Sequence, residues 1–314
     1  MNLAHTRVRS TAACAADPYN QGVPELPDLA VLADAFHAAL SGRPVLAVEA
    51  AGPLTVRGTP LELEAFVGQT LVRFWRRGKF MWLEFDRDRI AINAMLTGRL
   101  QLASSPTVKR PAKTMFVMRF GPRETEPKET AEWTRGASWL PAPDGTPELR
   151  YKDPTQMGKV YLLPRGTARP VPGTGADEMG PDADDPDLTP EAWRDRIRRH
   201  PGELKGLLRN QAFVAGIGNA YSDEILHAAR LNPLRKRASL APEEIDALYE
   251  ATRSTLAAAV ATLRERVPPE FETEVRDFLA VHNKGGEPCP RCGRRITQTE
   301  AGGFVMSYCR DCQR

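Results

Sequence analysis

The stretch Val23-Pro24-Glu25-Leu26-Pro27-Asp28 stands just before the first amphipathic segment of this 314-residue chain. Its prolines favour the start of a helix, where a missing backbone N–H costs nothing. Pro24 gains a second meaning if it is the first residue of the mature protein, because an N-terminal proline carries a nucleophilic secondary amine. We expect translation to begin at Val23, since a valine codon can serve as a start, and residues 1–22 to be a disordered or non-native leader. The alternative is an ordinary tail before a helix.

Helical spacing of apolar residues follows this stretch. From Asp28 to Leu40 the apolar positions recur every three or four residues, which predicts a short amphipathic helix. A helix that begins here would aim Glu25, and the amine of Pro24 where it is free, into a neighbouring cleft.

Short β-rich runs separated by Gly, Pro and Asp fill residues 44–164, which predicts a β-sandwich or barrel. The clearest runs are Thr70–Trp75, Phe80–Phe85, Arg89–Ala94, Met115–Phe120 and Val160–Leu163. Because Arg76-Arg77-Gly78-Lys79 joins two of them, we expect Lys79 to lie at a hairpin turn, where most lysines are merely solvated. The polar segment 121–145 is predicted to be an exposed loop.

The formal charge is nearly balanced, with 43 Lys and Arg against 40 Asp and Glu, for a net +3. A polyanionic partner therefore has to be argued from local clusters. Residues 71–110 are rich in arginine and lysine, and most of the compensating acid lies in residues 177–187. No apolar run is long enough to span a membrane, and residues 1–22 lack the apolar core of a signal peptide. We expect a soluble cytoplasmic protein.

A segment rich in Pro, Gly and Asp, residues 165–187, is predicted to link two domains. Thr189-Pro190-Glu191 then offers a helix cap and a first-turn proline, and the pattern is helical to about Phe278. Two of these helices are predicted to flank the turn Gly216-Ile217-Gly218-Asn219. Such a turn exposes backbone N–H groups at a helix N-terminus and suits a phosphate, although glycine turns are common between helices.

Four cysteines close the chain as two Cys-x-x-Cys pairs separated by sixteen residues: Cys289, Cys292, Cys309 and Cys312. Four thiolates at this spacing suit one tetrahedral, structural zinc ion, with Phe304 and Tyr308 predicted to cover a small hairpin between the pairs. Two disulfides are the alternative, which an expected cytoplasmic location disfavours. The fifth cysteine, Cys14, lies in the expected leader.

In combination these motifs resemble the formamidopyrimidine-DNA glycosylase and endonuclease VIII family, from Val23 to the C-terminus. The carrying motifs are Pro24-Glu25-Leu26-Pro27-Asp28, Arg76-Arg77-Gly78-Lys79, Gly216-Ile217-Gly218-Asn219-Ala220-Tyr221-Ser222-Asp223-Glu224 and the two cysteine pairs. The resemblance implies a multi-domain α+β fold with DNA held in a cleft. Its parts would be an N-terminal helix plus β-sandwich catalytic domain (23–164), a linker (165–187), a helix–two-turn–helix DNA-binding domain (188–280) and a C-terminal zinc-finger β-hairpin (281–314).

The resemblance also implies a reaction. A damaged base is flipped from the duplex, and the amine of Pro24 attacks C1′ of its deoxyribose, which expels the base and leaves an iminium. Glu25 would protonate the ring oxygen as a general acid, and Lys79 would contact a phosphate near the lesion. Successive eliminations would then cut the strand on both sides. The predicted DNA-binding residues are Asn219, Gly216, Gly218, Lys205, Arg76 and Arg77.

Several positions depart from the family pattern. Phe304 stands five residues before the third cysteine, where many members carry an arginine. Thr155, Gln156 and Met157 stand where an arginine and a phenylalanine usually fill the gap left by the flipped base, and Leu96 replaces a common methionine. Leu96, Gln156 and Met157 are therefore candidates for filling that gap. Oxidised purines, oxidised pyrimidines and abasic sites all stay open as substrates.

Three hypotheses follow for the function. The first is a bifunctional DNA glycosylase and abasic-site lyase that acts as a monomer on damaged double-stranded DNA and holds one zinc ion. The second is a catalytically silent relative that binds damaged DNA, and the third is a zinc-ribbon RNA-binding protein. A free amine at Pro24 separates the first hypothesis from the second.

Overall fold

The computed structural model describes residues 22–301 and 304–314. The expected leader therefore lies outside the described residues, except for its last residue, Gly22. Within those ranges, no helix combines the length and apolar character needed to cross a bilayer.

The chain folds into six helices and eleven strands within the described ranges. The helices are α1 (Leu26–Leu40), α2 (Pro60–Glu64), α3 (Pro190–Arg199), α4 (Leu204–Arg209), α5 (Asn219–Ala228) and α6 (Pro242–Arg266). The strands are β1 (Val45–Ala50), β2 (Val56–Arg57), β3 (Leu71–Arg77), β4 (Phe80–Phe85), β5 (Arg89–Asn93), β6 (Arg99–Ala103), β7 (Thr114–Phe120), β8 (Glu148–Lys152), β9 (Lys159–Leu163), β10 (Thr297–Ala301) and β11 (Phe304–Tyr308). The predicted α+β fold is confirmed.

Helix α1 starts at the expected place for local reasons. A proline occupies its first turn, and the Asp28 carboxylate accepts the backbone N–H of Glu25 at 2.8 Å. Arg276, from the segment after α6, donates to both oxygens of Asp28 and so ties the helix start to the rest of the protein. The buried residues of α1 pack on β3 and α6.

Two sheets form the β-sandwich. One has the order β1-β7-β8-β6, and the other has the order β2-β9-β5-β4-β3, with only the β2–β9 pairing parallel. Their inner faces share one apolar core with α1, to which Phe74, Leu83, Phe116 and Leu149 contribute fully or nearly fully buried side chains. All five predicted runs lie on observed strands, whereas β1, β2, β6 and β8 were not predicted.

Residues 121–145 form a largely exposed loop, as predicted, but the loop is anchored to the β-sandwich. The side chain of Arg43 is completely buried and donates hydrogen bonds to the carbonyls of Gly121, Ala142 and Gly145 at 2.8–3.0 Å. Trp133 and Trp139 pack partly buried against the main core. The polar composition therefore gave no sign that backbone carbonyls of this segment surround the side chain of Arg43.

The helical part has its own core, centred on Trp193, Phe213 and Tyr221, all fully buried. Thr189 caps α3 by accepting the N–H of Ala192 at 3.2 Å, as the sequence predicted. The helical pattern was extended too far, because α6 ends at Arg266 and the next segment is built of turns. The chain between β9 and α3 is also packed, since Val171 and Met179 are buried against the β-sandwich.

The C-terminal hairpin consists of β10 and β11. Tyr308 is 6 % exposed and packs inward as expected, but Phe304 is 45 % exposed and does not cover the cysteines. Its ring instead faces the guanidinium of Arg209 at the end of α4, with the guanidinium carbon 3.5 Å from the ring centroid.

Candidate functional site: a carboxylate and an ammonium over a glycine turn

Lys79 lies in the two-residue turn between β3 and β4. Arg77 pairs with Phe80 across the hairpin, and Gly78 adopts a φ of +56° that favours glycine. The N–H of Gly78 donates to Asp182 at 2.7 Å. The turn is therefore held by both its own backbone geometry and the segment before α3, which fixes where the lysine begins.

Glu25 sits at the start of α1 and points at the start of α5. Its carboxylate accepts backbone N–H groups from Gly218 at 2.6 Å, Ala220 at 2.8 Å and Tyr221 at 3.3 Å. These donors belong to the first turn of α5, where the helix dipole also favours a negative charge. The carboxylate is only 3 % exposed, so the β-sandwich and the helical part meet through it.

Gly218 allows Glu25 and Lys79 to approach the same point. A Cβ added to Gly218 would lie 2.5 Å from Cδ of Glu25 and 2.6 Å from Nζ of Lys79, well inside contact distance. Gly216, two residues earlier, has a φ of +100°, and a Cβ there would lie 2.8 Å from Cβ of Leu26. The glycines of this turn are therefore needed for close approach, whereas the sequence had indicated a role in phosphate binding alone.

The surroundings of Lys79 act on its charge. Burial lowers the pKa of Lys79 below its usual range, the Glu25 carboxylate opposes that shift, and the Arg209 guanidinium adds to it. Because desolvation is the largest effect, Lys79 loses its proton more readily than a surface lysine does. A site with one carboxylate and one partly destabilised ammonium can move protons and bind an anion.

Pro24 is buried directly before Glu25, with its nitrogen in the peptide bond to Val23. The preceding residue, Gly22, donates its N–H to Glu274 at 2.9 Å, and its carbonyl accepts from Arg99 at 3.1 Å. Burial raises the pKa of Glu274 to about 7, although Arg99 lies 3.0 Å away and opposes the shift. Glu25, the residue after Pro24, approaches the same point as Lys79, at Gly218. The catalytic roles of Pro24, Glu25 and Lys79 stay a prediction.

Among the predicted DNA-binding residues, Asn219 keeps an unused acceptor. Its Oδ1 is buried and has no hydrogen-bond partner within residues 22–301 and 304–314. Lys205 is engaged inside the protein: its ammonium donates to Asp223 at 2.5 Å, to the carbonyl of Val305 at 3.1 Å and to that of Asn219 at 3.3 Å. An ammonium has three N–H donors, so all of those of Lys205 have acceptors.

Arg76 and Arg77 lie on β3, and both side chains form salt bridges with carboxylates of the segment before α3. Asp182 is 3.2 Å from Arg76 and 3.2 Å from Arg77, and Arg76 also pairs with Asp184. Two arginines of the arginine-rich segment are therefore paired with two carboxylates of the acidic segment, more than 100 residues away. Contact of these two arginines with DNA stays a prediction.

The gap-filling candidates occupy two neighbouring loops. Leu96 is half-buried after β5, Gln156 has a φ of +55°, and Met157 is 50 % exposed. Asp153, which is fully buried, joins the loops, because its carboxylate accepts from Thr97 at 2.5 Å and from the backbone of the second loop. Leu96 and Met157 therefore project from loops that the hydrogen bonds of Asp153 hold together.

The four C-terminal cysteines converge. Their sulfur atoms lie within 4.8 Å of one another, with separations of 3.5 Å between Cys292 and Cys309 and 4.0 Å between Cys289 and Cys312. Disulfide sulfurs are about 2.05 Å apart, which excludes the disulfide alternative in this structure. Four thiolates at about 2.3 Å from a zinc ion are about 3.8 Å apart, so the donor set fits one metal ion.

Sequence reasoning missed two residues that shape this site. Asp223 is 1 % exposed and joins Lys205, the ring of His282 at 2.9 Å and the backbone N–H of Ser307 at 3.2 Å. Arg209 stacks on Phe304 and acts on the charge of Lys79. Both residues look like ordinary helix surface positions in the sequence, and only their contacts across the fold mark them.

Two family models match the chain. The formamidopyrimidine-DNA glycosylase N-terminal domain matches residues 23–160, and the formamidopyrimidine-DNA glycosylase H2TH domain matches residues 179–267. A formamidopyrimidine-DNA glycosylase of Heliobacterium modesticaldum is 31% identical over 300 residues, which cover 93% of this chain and 100% of the relative. One from Pelotomaculum thermopropionicum is 29% identical, with 93% and 99% covered.

Solved structures share the fold. A complex between Lactococcus lactis Fpg and DNA containing an abasic site superposes with a TM-score of 0.76 at 24% identity, covering 92% of this chain and 99% of that one. The MutM (Fpg) protein of Thermus thermophilus gives a TM-score of 0.71 at 24% identity, covering 92% and 98%.

Fold and site together define a protein of the helix–two-turn–helix class in which the first helix and a β-hairpin supply the groups that face the helical turn. More narrowly, the chain belongs to the formamidopyrimidine-DNA glycosylase family. The resemblance seen in the sequence is thereby confirmed.

Proposed function

We propose that this chain is a bifunctional DNA glycosylase and abasic-site lyase of base excision repair. The observation that carries the proposal is the convergence of Glu25 and Lys79 on Gly218. Glu25 directly follows Pro24 in the chain. The names of its relatives support the glycosylase activity, and the Lactococcus lactis neighbour was solved with abasic-site DNA. Binding alone has no evident need for a carboxylate and an ammonium at this point.

The proposed reaction begins once Pro24 is free of Val23. The neutral amine of Pro24 attacks C1′ of the damaged nucleotide, and the bond from C1′ to the base breaks. The base leaves with the electron pair of that bond and takes a proton from water. Glu25 accepts the proton that the amine loses and delivers it to the ring oxygen as the sugar opens to an iminium. The iminium withdraws electrons from C2′, so loss of a C2′ proton expels the 3′ phosphate, and a second elimination expels the 5′ phosphate.

Lys79 and the turn before α5 bind the backbone in this proposal. The ammonium of Lys79 faces a phosphate near the lesion, and the side chain of Asn219 positions another phosphate without reading sequence. Leu96 and Met157 fill the gap left by the flipped base. The four cysteines hold one structural zinc ion, which keeps the β10–β11 hairpin folded.

A second candidate, a silent relative that binds damaged DNA, is favoured by one observation. Gly22 is anchored between Arg99 and Glu274, which holds the chain in place ahead of Pro24. If the peptide bond between Val23 and Pro24 is retained, Pro24 has no free amine, and its nitrogen is not a nucleophile.

Borohydride trapping separates the two candidates. Protein starting at Pro24 and a matched protein starting at Met1 are incubated with an abasic-site duplex and borohydride, and the intact mass of each is measured. We expect a reduced covalent adduct only with the Pro24 protein, because hydride converts the iminium to a stable amine. Tight DNA binding by both proteins with no adduct from either would establish the silent relative.

A further inference from the structure

The positively charged guanidinium of Arg209 has no carboxylate paired with it among the described residues. It closes α4, is half-buried, and forms no ion pair or hydrogen bond with any described residue. Burial lowers the pKa of Arg209, while the more distant carboxylates Glu25 and Asp223 oppose the shift. A partly desolvated guanidinium normally has an anionic partner, because its five donors are costly to leave unused.

Its position is fixed by the C-terminal hairpin. The guanidinium carbon lies 3.5 Å from the centre of the Phe304 ring, a close cation–π contact. One turn earlier on the same face of α4, Lys205 donates to the carbonyl of Val305 at 3.1 Å. Helix α4 is thus docked on β11 at two points. The ring face orients the planar group of Arg209, whose N–H groups have no partner among residues 22–301 and 304–314.

The same contacts place Arg209 beside the glycine turn. Lys205 also touches the carbonyl of Asn219, and Arg209 acts electrostatically on both Glu25 and Lys79. Lys79 therefore lies at the start of α5, and the guanidinium of Arg209 is near enough to it to lower its pKa. Glu25 is the one carboxylate acting on both, and three backbone N–H groups already serve it.

We propose that Arg209, oriented by Phe304, binds a phosphodiester of the DNA backbone beside the reacting sugar, as a positioning residue that works with Lys79. This inference rests on the proposed function for its ligand. A guanidinium fork matches two phosphate oxygens, so the contact fixes the strand as well as neutralising it. Phe304 carries no charge itself, and the charge at this edge of the hairpin comes from α4.

The test measures binding to a duplex with a tetrahydrofuran abasic analogue as salt is varied. Removing one cation that neutralises a phosphate should make the slope of log affinity against log salt shallower by about 0.9. Arg209→Met and Arg209→Gln should both show this change, with affinity at low salt reduced roughly tenfold. Arg209→Lys should keep the slope, and Phe304→Leu should keep the slope while weakening binding.

Arg194→Leu is the matched control. Its guanidinium already pairs with Asp246 at 2.6 Å and Glu191 at 3.3 Å, so its removal should leave both slope and affinity unchanged. Unchanged binding by folded Arg209→Met and Arg209→Gln would overturn the proposal and would indicate that Arg209 merely complements the C-terminus of α4. Wild-type binding without a borohydride adduct would instead refute the proposed chemistry, so the two failures are distinguishable.

Discussion

The carboxylate of Glu25 and the ammonium of Lys79 meet over the Cα of Gly218, each within 2.6 Å of the place where a side chain would begin. One group comes from the first helix and the other from a hairpin turn, and neither could take this position beside any residue larger than glycine. The site is therefore assembled at a single backbone atom of a third element.

Replacing Gly218 with alanine should abolish this arrangement. The added Cβ would lie 2.5 Å from Cδ of Glu25, which three backbone N–H groups hold in place, so the carboxylate has to move. We expect the rate of adduct formation with abasic DNA to fall at least about 100-fold, as for other disruptions of catalytic geometry. Single-turnover trapping measures it.

Gly206→Ala is the control for that substitution. Gly206 is exposed within α4 and has open space around its Cα. Alanine there should leave trapping unchanged and raise the free energy of unfolding by about 0.5–1 kcal/mol, because alanine is the better helix former. Normal trapping by a folded Gly218→Ala protein would show that the approach of Glu25 and Lys79 is unimportant for the reaction.

Glu274 should make stability fall as pH rises. Its pKa is about 7 in the folded protein against 4.5 for the free side chain, so between these values the unfolded state releases the proton first. The free energy of unfolding should then drop by on the order of 2 kcal/mol from pH 5 to pH 8 through this group. Urea unfolding of wild type and Glu274→Gln at both pH values measures the difference.

The Glu274→Gln protein should show a smaller drop, whatever its absolute stability. Glu265→Gln, on the exposed face of α6, is expected to behave as wild type across the same range. Equal pH dependence in wild type and Glu274→Gln would show that Arg99 keeps the Glu274 carboxylate charged at every pH tested.

Arg43→Met should destabilise the β-sandwich. The guanidinium is completely buried among backbone carbonyls, burial lowers the pKa of Arg43 to about 10, and methionine leaves those carbonyls unpaired. We expect a decrease of about 3–5 kcal/mol in the free energy of unfolding, together with faster hydrogen exchange across residues 121–145. Arg57→Met, on the surface, should cost less than about 0.5 kcal/mol. A similar small cost at both positions would contradict the role of Arg43 as the anchor of that segment.

Cys292→Ser should release the metal. With one thiolate missing, we expect zinc content to drop from about one ion per chain to near zero, since structural sites need all four ligands. Elemental analysis and the mass of the native protein measure it, and Cys14→Ser should retain the ion. A Cys292→Ser protein that keeps a full complement of zinc would place the ion elsewhere.

Local sequence signals predicted the elements well. The proline and aspartate at the start of α1, the cap at Thr189, the hairpin turn at Gly78 and the cysteine spacing are each set by neighbours in the chain. Contacts over long distances were not visible. Lys205 donates to the carbonyl of Val305, and Arg209 stacks on Phe304, so each contact joins residues about 100 positions apart. Periodicity in the sequence does not reveal such pairs.

Composition misled where polar groups are satisfied internally. The exposed loop 121–145 was predicted, but its anchoring was not, because a buried arginine that binds backbone carbonyls leaves no apolar pattern. Arg76 and Arg77 read as free charge because their acidic partners, Asp182 and Asp184, lie more than 100 residues later.

The pairing of Arg76 and Arg77 with Asp182 and Asp184 has a consequence for how such a protein would search a genome. Affinity for undamaged DNA grows with the number of phosphates neutralised, and here part of the positive charge near the cleft is already neutralised by the protein's own carboxylates. Residence on intact duplex should be correspondingly brief. Time on DNA would then be concentrated where a flipped nucleotide can reach Lys79 and Arg209, which form no ion pair within residues 22–301 and 304–314.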